Sequence, residues 1–277
     1  MTDLKPLFKW SGGKRKEIPI IKEFLPTKID TYVEPFVGGG ALFFYLNHNN
    51  NVINDIDFDV TNFYKQIKKQ DEEFVSQLKK VQKEFEQVKH LSKEKRGELY
   101  YRYRDMDKNN GLSKMDGVER AIRFIVITSL AFNGMRRFNK KGEFNIPFGN
   151  YKTLSLENCY DKEYIKLLEK TIILNKSFPD VIKTSDTVNN FIFIDPPYTR
   201  TFKSYTSDGE FPDSEHEKLA DIFHNLKNAK AMIVINSDDF TKSLYKKCIK
   251  KEYEVKYSTN IKNRYDNNAK HLLITNY

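Results

Sequence analysis

Thr31-Tyr-Val-Glu-Pro-Phe36-Val-Gly38-Gly39-Gly40-Ala41-Leu-Phe-Phe-Tyr-Leu-Asn47 passes from an apolar, partly β-branched run through three glycines into a helical run. A strand that ends in a glycine turn and leads at once into a helix begins a β-α-β unit, and residues 51–56 supply the next strand. Further short apolar runs read as strands at 191–194, 231–235 and 272–275, and helical patterns lie at 17–24, 41–47 and 214–226. Strands alternating with helices predict an α/β chain with a parallel or mixed sheet. The alternation stops between about residues 60 and 151. There, 71–104 is rich in Glu, Lys and Gln with Phe74, Leu78, Val81 and Phe85 at helical spacing, and a second helical pattern covers 117–132. This stretch reads as a mostly helical insertion. The lysine-rich stretch 242–262 reads as a solvated helix face and an edge strand.

The chain of 277 residues is long enough for one large domain or a domain with a substantial insertion. No window approaches the ~20 apolar residues of a membrane span, and the first residues carry no signal-peptide pattern. Cys159 and Cys248 stand alone, and the five histidines form no ligand cluster. A cytoplasmic, metal-free protein is expected. The net charge of +9 favours a polyanionic partner through phosphate contacts, although solvated lysine-rich helices give the same excess.

The glycine turn allows a ligand to approach the backbone at the carboxyl edge of a strand, and a plain tight turn accounts for it equally well. Asp55 adds to it: it ends the next strand, 17 residues after Gly38, close to the spacing at which an acid reaches ribose hydroxyls. A pyrophosphate-binding turn needs a third glycine where this chain has Phe43. A nucleoside cofactor without a pyrophosphate, such as S-adenosylmethionine, fits better. Its amino-acid tail needs polar contacts, for which Lys9-Trp10-Ser-Gly-Gly-Lys14 is the candidate; Trp10 is the only tryptophan.

A second signal closes the run Asn190-Phe-Ile-Phe-Ile with Asp195-Pro196-Pro197-Tyr198. Asp195 offers a carboxylate, the Pro196 carbonyl precedes a residue without an N–H, and Tyr198 can lie over a planar ring. Two acceptors placed against an exocyclic amino group localise its lone pair. The tetrapeptide therefore points to modification of an amino group on a planar substrate.

These motifs, in this order, resemble the Dam-like, alpha-type (D12 class) DNA adenine-N6 methyltransferases, and the match runs from Lys9 nearly to the end of the chain. The resemblance implies a Rossmann-like S-adenosylmethionine-dependent methyltransferase sheet made of residues 1–59 and 156–277. A mostly helical target-recognition domain, 60–155, is inserted in it. The resemblance implies that Trp10, Lys14, Asp55 and Asp195 contact S-adenosylmethionine, that Phe36, Gly38, Gly39 and Gly40 wall its pocket, and that Ser177 and Phe178 sit where the family holds the cofactor's adenine. Asp195, Pro196, Pro197 and Tyr198 would be the catalytic motif.

Within the insertion, Phe132-Asn133-Gly134-Met135-Arg136-Arg137-Phe138-Asn139-Lys-Lys-Gly142-Glu143-Phe144-Asn145-Ile146-Pro147-Phe148-Gly149 reads as a helix end, a glycine turn and a β-hairpin. Two adjacent arginines suit a groove, and arginine bonds guanine bidentately. By resemblance, Arg137 reads guanine, Phe132 and Asn133 fill the space of a flipped base, Met135, Asn139 and Pro147 contribute base contacts, and Lys9 touches the first base. Arg136 departs from the uncharged residue usual there. The resemblance implies double-stranded DNA as partner, a GATC target with longer GA-containing sites such as GATATC as alternative, a monomer, and a restriction endonuclease as companion without direct contact. The open alternatives are an RNA-adenine or protein-glutamine methyltransferase, and a DNA-binding module without chemistry.

Overall fold

The structure, a computed structural model, describes residues 4–198, 211–256 and 268–277. Seven strands form one sheet in the order β3-β2-β1-β4-β5-β7-β6. They are β1 (Thr31–Glu34), β2 (Asn51–Asn54), β3 (Thr171–Leu174), β4 (Asn190–Ile194), β5 (Lys230–Asn236), β6 (Ile249–Lys256) and β7 (Asn268–Thr275). The first five are parallel, and β7 runs antiparallel between β5 and β6. From β1 the chain winds outward through β2 to β3, then returns beside β1 with β4 and winds the other way. The carboxyl ends of β1 and β4 therefore flank the topological switch point, where open α/β sheets bind ligands.

The strands read as unbroken apolar runs because the sheet is covered on both faces. Phe191 and Phe193 of β4 join the core on one side, and Ile192 and Ile194 join the core on the other. The first side packs α2 (Ala41–Leu46), α3 (Phe58–Lys69), α6 (Gly117–Leu130) and α7 (Lys162–Glu169). The second packs α8 (Phe178–Thr184), α9 (Asp213–His224) and Tyr245 of α10 (Asp239–Tyr245). The N-terminal helical pattern is a short α1 (Ile18–Ile21) between 3-10 turns at Lys14–Glu17 and Lys22–Phe24.

The long helical pattern divides into α4 (Glu72–Val88) and α5 (Lys93–Arg104). Ser92 caps α5, accepting from the Lys95 N–H, and an Asp116–Glu119 capping box starts α6. Apolar side chains of α4, α5 and α6 join the same core that covers the sheet. No helix among the described residues is long and apolar enough to cross a membrane.

Three strands differ from the sequence reading by two residues or more; β7 begins at Asn268 rather than at 272. β1 stops at Glu34, before a proline that has no N–H for the ladder. β2 stops at Asn54, whose side chain donates to Pro35 O (2.9 Å) and Lys176 O (3.0 Å) and so turns from ladder to loops. The periodicity passes over β3, one of the two edge strands. The lysine-rich late stretch does supply the edge strand β6, and its part beyond residue 256 lies outside the described residues.

Candidate active site

Three chain segments converge at the switch point: the glycine turn after β1, Asp55 after β2 and Asp195 after β4. Across them lies the N-terminal segment. Lys14, 2% exposed, places Nζ 2.6 Å from Asp195 Oδ1 and donates to Gly12 O at 2.7 Å. The same ammonium lies 4.9 Å from the centre of the Tyr198 ring, a cation–π distance. Lys14 thus meets the chain's own Asp195.

The glycine turn is shaped by Trp10 as much as by any ligand. Gly38 has φ +44°, and a Cβ there would lie 2.3 Å from Trp10 Nε1. A Cβ on Gly39 would lie 2.8 Å from Trp10 Cβ. The indole therefore rests directly on the turn, and only glycine leaves it room. Tyr64 on α3 holds the turn from behind, donating to Gly38 O at 2.9 Å.

Asp55 accepts from the backbone N–H of Gly38 (Oδ2, 2.9 Å) and of Asp57 (Oδ1, 3.0 Å), locking the second strand's acid to the first strand's turn. Burial pushes its pKa up to about 7, and the neighbouring Asp57 carboxylate adds to the rise. Because the folded value lies above the usual one near 3.8, Asp55 favours the fold fully at acid pH and loses that contribution as pH rises through about 7. The unfolding temperature of the ligand-free protein is expected to fall as pH rises from the usual 3.8 to about 7 and to level off above, and this slope is expected to flatten in Asp55→Asn. Calorimetry on both chains across that window checks it; equal slopes would contradict it. Glu34, on β1, accepts from the Tyr32 hydroxyl at 2.7 Å; burial, reinforced by the Asp195 charge, raises its pKa well above the usual range. Asp195 is raised by burial too, but Lys14 opposes the rise.

Phe36 packs on Phe178 with ring centres 5.2 Å apart, and Phe211 closes the cluster at 5.8 and 5.6 Å from the two. Ser177, exposed, is the N-cap residue of the helix that carries Phe178. This wall stands beside Asp55 because Asn175 donates to Asp55 O (2.8 Å) and Ile56 O (2.9 Å), and Asn54 Oδ1 accepts from the Lys176 N–H (2.8 Å).

Behind Tyr198 lies a buried polar group. Its hydroxyl is 3.5 Å from His271 Nδ1, and the two rings meet edge to face at 5.0 Å. His271 Nδ1 lies 2.7 Å from Glu17 Oε2, which also accepts from the Tyr253 hydroxyl at 2.6 Å. Against the upward push of burial, His271 and Lys14 hold the Glu17 carboxyl below its usual range.

The hairpin stands apart from this cleft but is joined to it through the N-terminal segment. Bridges Ala131↔Phe148 and Phe138↔Phe144 define it, and Asn139 organises its tip by accepting from the N–H of Lys141 and Glu143 at 2.9 and 3.0 Å. Phe132, 40% exposed, donates its N–H to Pro147 O at 2.9 Å; Asn133 is exposed at φ 54°. Lys9 lies against this turn: a Cβ on Gly134 would come within 2.6 Å of Lys9 Cβ, and Lys9 Nζ lies 3.5 Å from the centre of the Tyr151 ring. Met135 is half-buried, and Arg137 is exposed with Nε donating to Asn145 Oδ1 at 2.8 Å. The adjacent arginines do not both face outward. Arg136 is 7% exposed and turns inward, its Nη2 2.6 Å from Asp57 Oδ2.

Comparison with known proteins gives the same reading. Residues 10–261 match the family model described as D12 class N6 adenine-specific DNA methyltransferase. The chain belongs to that family. It is similar to the Type II methyltransferase M.CviBI of Paramecium bursaria Chlorella virus NC1A, with 35% identity over 99% of this chain and 100% of that protein. M.MjaIII of Methanocaldococcus jannaschii, also a Type II methyltransferase, is 35% identical with the same coverage. The DNA adenine methylase of Escherichia coli (strain K12) is 26% identical over 86% of this chain and 82% of its own length. The protein is thus an adenine-specific DNA methyltransferase with a mixed α/β methyltransferase sheet.

In this methyltransferase, Trp10, Lys14, Gly38, Gly39, Gly40, Asp55, Asp195 and Tyr198 come together at one sheet edge, with Phe36 and Phe178 as one wall. Lys9, Phe132, Asn133, Met135, Arg137, Asn139 and Pro147 gather on the hairpin side. The sequence reading misses Glu17, Asn54, Asp57, Tyr253 and His271. For Glu17 a signal exists: it follows Lys14 by three residues on a helical turn, so both face the same side.

Proposed function

We propose that the enzyme transfers a methyl group from S-adenosylmethionine to N6 of an adenine flipped out of duplex DNA, within GATC. The observation that carries this reading is the convergence of Lys14 and Asp195, the Trp10-backed glycine turn and Asp55 at the switch point. Asp55, with two backbone donors behind it, suits the ribose hydroxyls. Lys14, Trp10 and the glycine turn suit the amino-acid tail, and Phe36 with Phe178 suits a flat base, with Ser177 at the rim. The cofactor supplies an electrophilic methyl group on a sulfonium.

The chain's own residues do the rest. Asp195 and the Pro196 carbonyl accept the two N6 hydrogens, Pro197 ends the ladder there, and Tyr198 stacks on the base. Lys14 favours the ionised form of Asp195, so that it stays an acceptor. Orientation and placed charge are the main catalytic contributions, and flipping costs a few kcal/mol, offset by stacking and edge contacts. Residues 60–155 act as the target-recognition unit on duplex DNA. Its hairpin reads bases with Arg137 and Lys9, fills the vacated stack with Phe132 and Asn133, and contacts bases through Met135, Asn139 and Pro147.

Methyl incorporation into duplexes carrying GATC, GATATC, other GA-containing sites and a scrambled site tests the assignment. Incorporation in every duplex that contains GATC and in no other supports it. Incorporation confined to a different GA-containing site retains the reaction and discards the target.

A further inference from the structure

Arg136 lies in the recognition hairpin, yet its side chain belongs to the cofactor side. Arg137 is exposed, whereas the neighbouring Arg136 is buried. Its guanidinium carbon lies 5.0 Å from the Trp10 ring, 5.3 Å from Phe124 and 5.6 Å from Phe138. One nitrogen bonds Asp57, whose own N–H donates to Asp55. The remaining two, Nε and Nη1, are buried without a partner among the described residues. Unmatched donors cost stability, so the pair with Asp57 is held at the cost of two buried N–H groups.

We propose that Arg136 is a positioning residue for the cofactor pocket, neutralising Asp57 beside Asp55 and holding Trp10 flat on the glycine turn. This rests on the reading of Asp55 as the acid that meets the cofactor's ribose. The groups that face Asp55 are Asp57 on its own segment, Arg136 from the hairpin and the Tyr64 hydroxyl from α3; beyond them the Asp59 carboxylate is paired with Arg120 of α6. Removing the Arg136 charge leaves Asp57 uncompensated and makes Asp55 harder to ionise. An arginine at the base of the hairpin thereby adjusts the pocket that supplies the methyl group. Any displacement of the hairpin on DNA is felt there through the Asp57 and Trp10 contacts.

The test is calorimetric binding of S-adenosylhomocysteine to the DNA-free protein between pH 5.5 and 9. Wild type is expected to bind more tightly as pH rises, with a midpoint near 7. In Arg136→Met the midpoint is expected to rise by about one unit, weakening binding at pH 7 about fivefold. Asp57→Asn, which keeps the cap of α3 (Asp59 N–H to Asp57 Oδ1, 2.8 Å), is expected to lower the midpoint. The Arg136→Met/Asp57→Asn double variant is expected to return it toward wild type, and Arg136→Lys to leave it in place. A purely structural role would change affinity without moving the midpoint. Equal midpoints in wild type, Arg136→Met and Asp57→Asn overturn the proposal and leave the cofactor reading intact. No binding by wild type at any pH overturns both.

Discussion

Asp195→Ala is expected to lower methyl transfer to DNA by about a thousandfold, the scale on which removal of a preorganised polar contact to the reacting group acts. Asp195 stands at the first position past the β4 ladder, paired with Lys14 at 2.6 Å. The substitution removes the acceptor and leaves a buried ammonium without its carboxylate. Asp195→Asn keeps the side-chain volume and one acceptor oxygen but loses the ion pair, so a fall of about ten- to a hundredfold is expected. Single-turnover measurements at saturating cofactor separate this loss from weaker binding, and circular dichroism checks the fold. Burial raises the Asp195 pKa, so wild-type transfer is also expected to fall in acid as the carboxylate takes a proton. An Asp195→Ala enzyme within tenfold of wild type would remove Asp195 from the chemistry.

The second large effect is on stability. Arg123 of α6 and Asp107 are 2.5 Å apart, 3% and 2% exposed, and Asp107 also accepts from the Phe144 N–H of the hairpin at 2.7 Å. Arg123 in turn donates to Tyr103 O and Arg104 O at the end of α5. One buried pair thus ties α5, α6 and the hairpin together. Arg123→Met strands a carboxylate in the core, for which about 3–5 kcal/mol is expected, or about 10 °C in unfolding temperature for a chain of this size. Adding Asp107→Asn is expected to recover much of the loss, because the amide still accepts from Phe144 and carries no charge. Thermal unfolding of the single and double variants decides it; a single variant within 1 °C of wild type would show that the pair does not hold the hairpin.

What was legible in the sequence follows the range of the interactions involved. The β4 run could be read because burial on both faces leaves a continuous apolar signature, and Asp195-Pro-Pro-Tyr198 ends it within the same few residues. The β1 turn was legible for the same reason, although its glycines admit Trp10 as well as suiting a ligand. β3 carries a strand signal in Thr-Ile-Ile-Leu, but four residues at a sheet edge, with Ile172 59% exposed, are too few to set a period. The Glu17–His271 contact joins positions 254 residues apart, and no local pattern encodes it. Arg136 could not be oriented from its neighbours: the hairpin is held by isolated bridges, and which arginine turns inward depends on Asp57, 79 residues earlier.

The measurement that bears most directly on the central claim is mass analysis of nucleosides from duplex DNA incubated with the enzyme and isotopically labelled S-adenosylmethionine. Labelled N6-methyldeoxyadenosine as the sole methylated nucleoside, absent with Asp195→Ala, is the predicted result. Label on cytosine, in RNA or in protein, with none on deoxyadenosine, would contradict it.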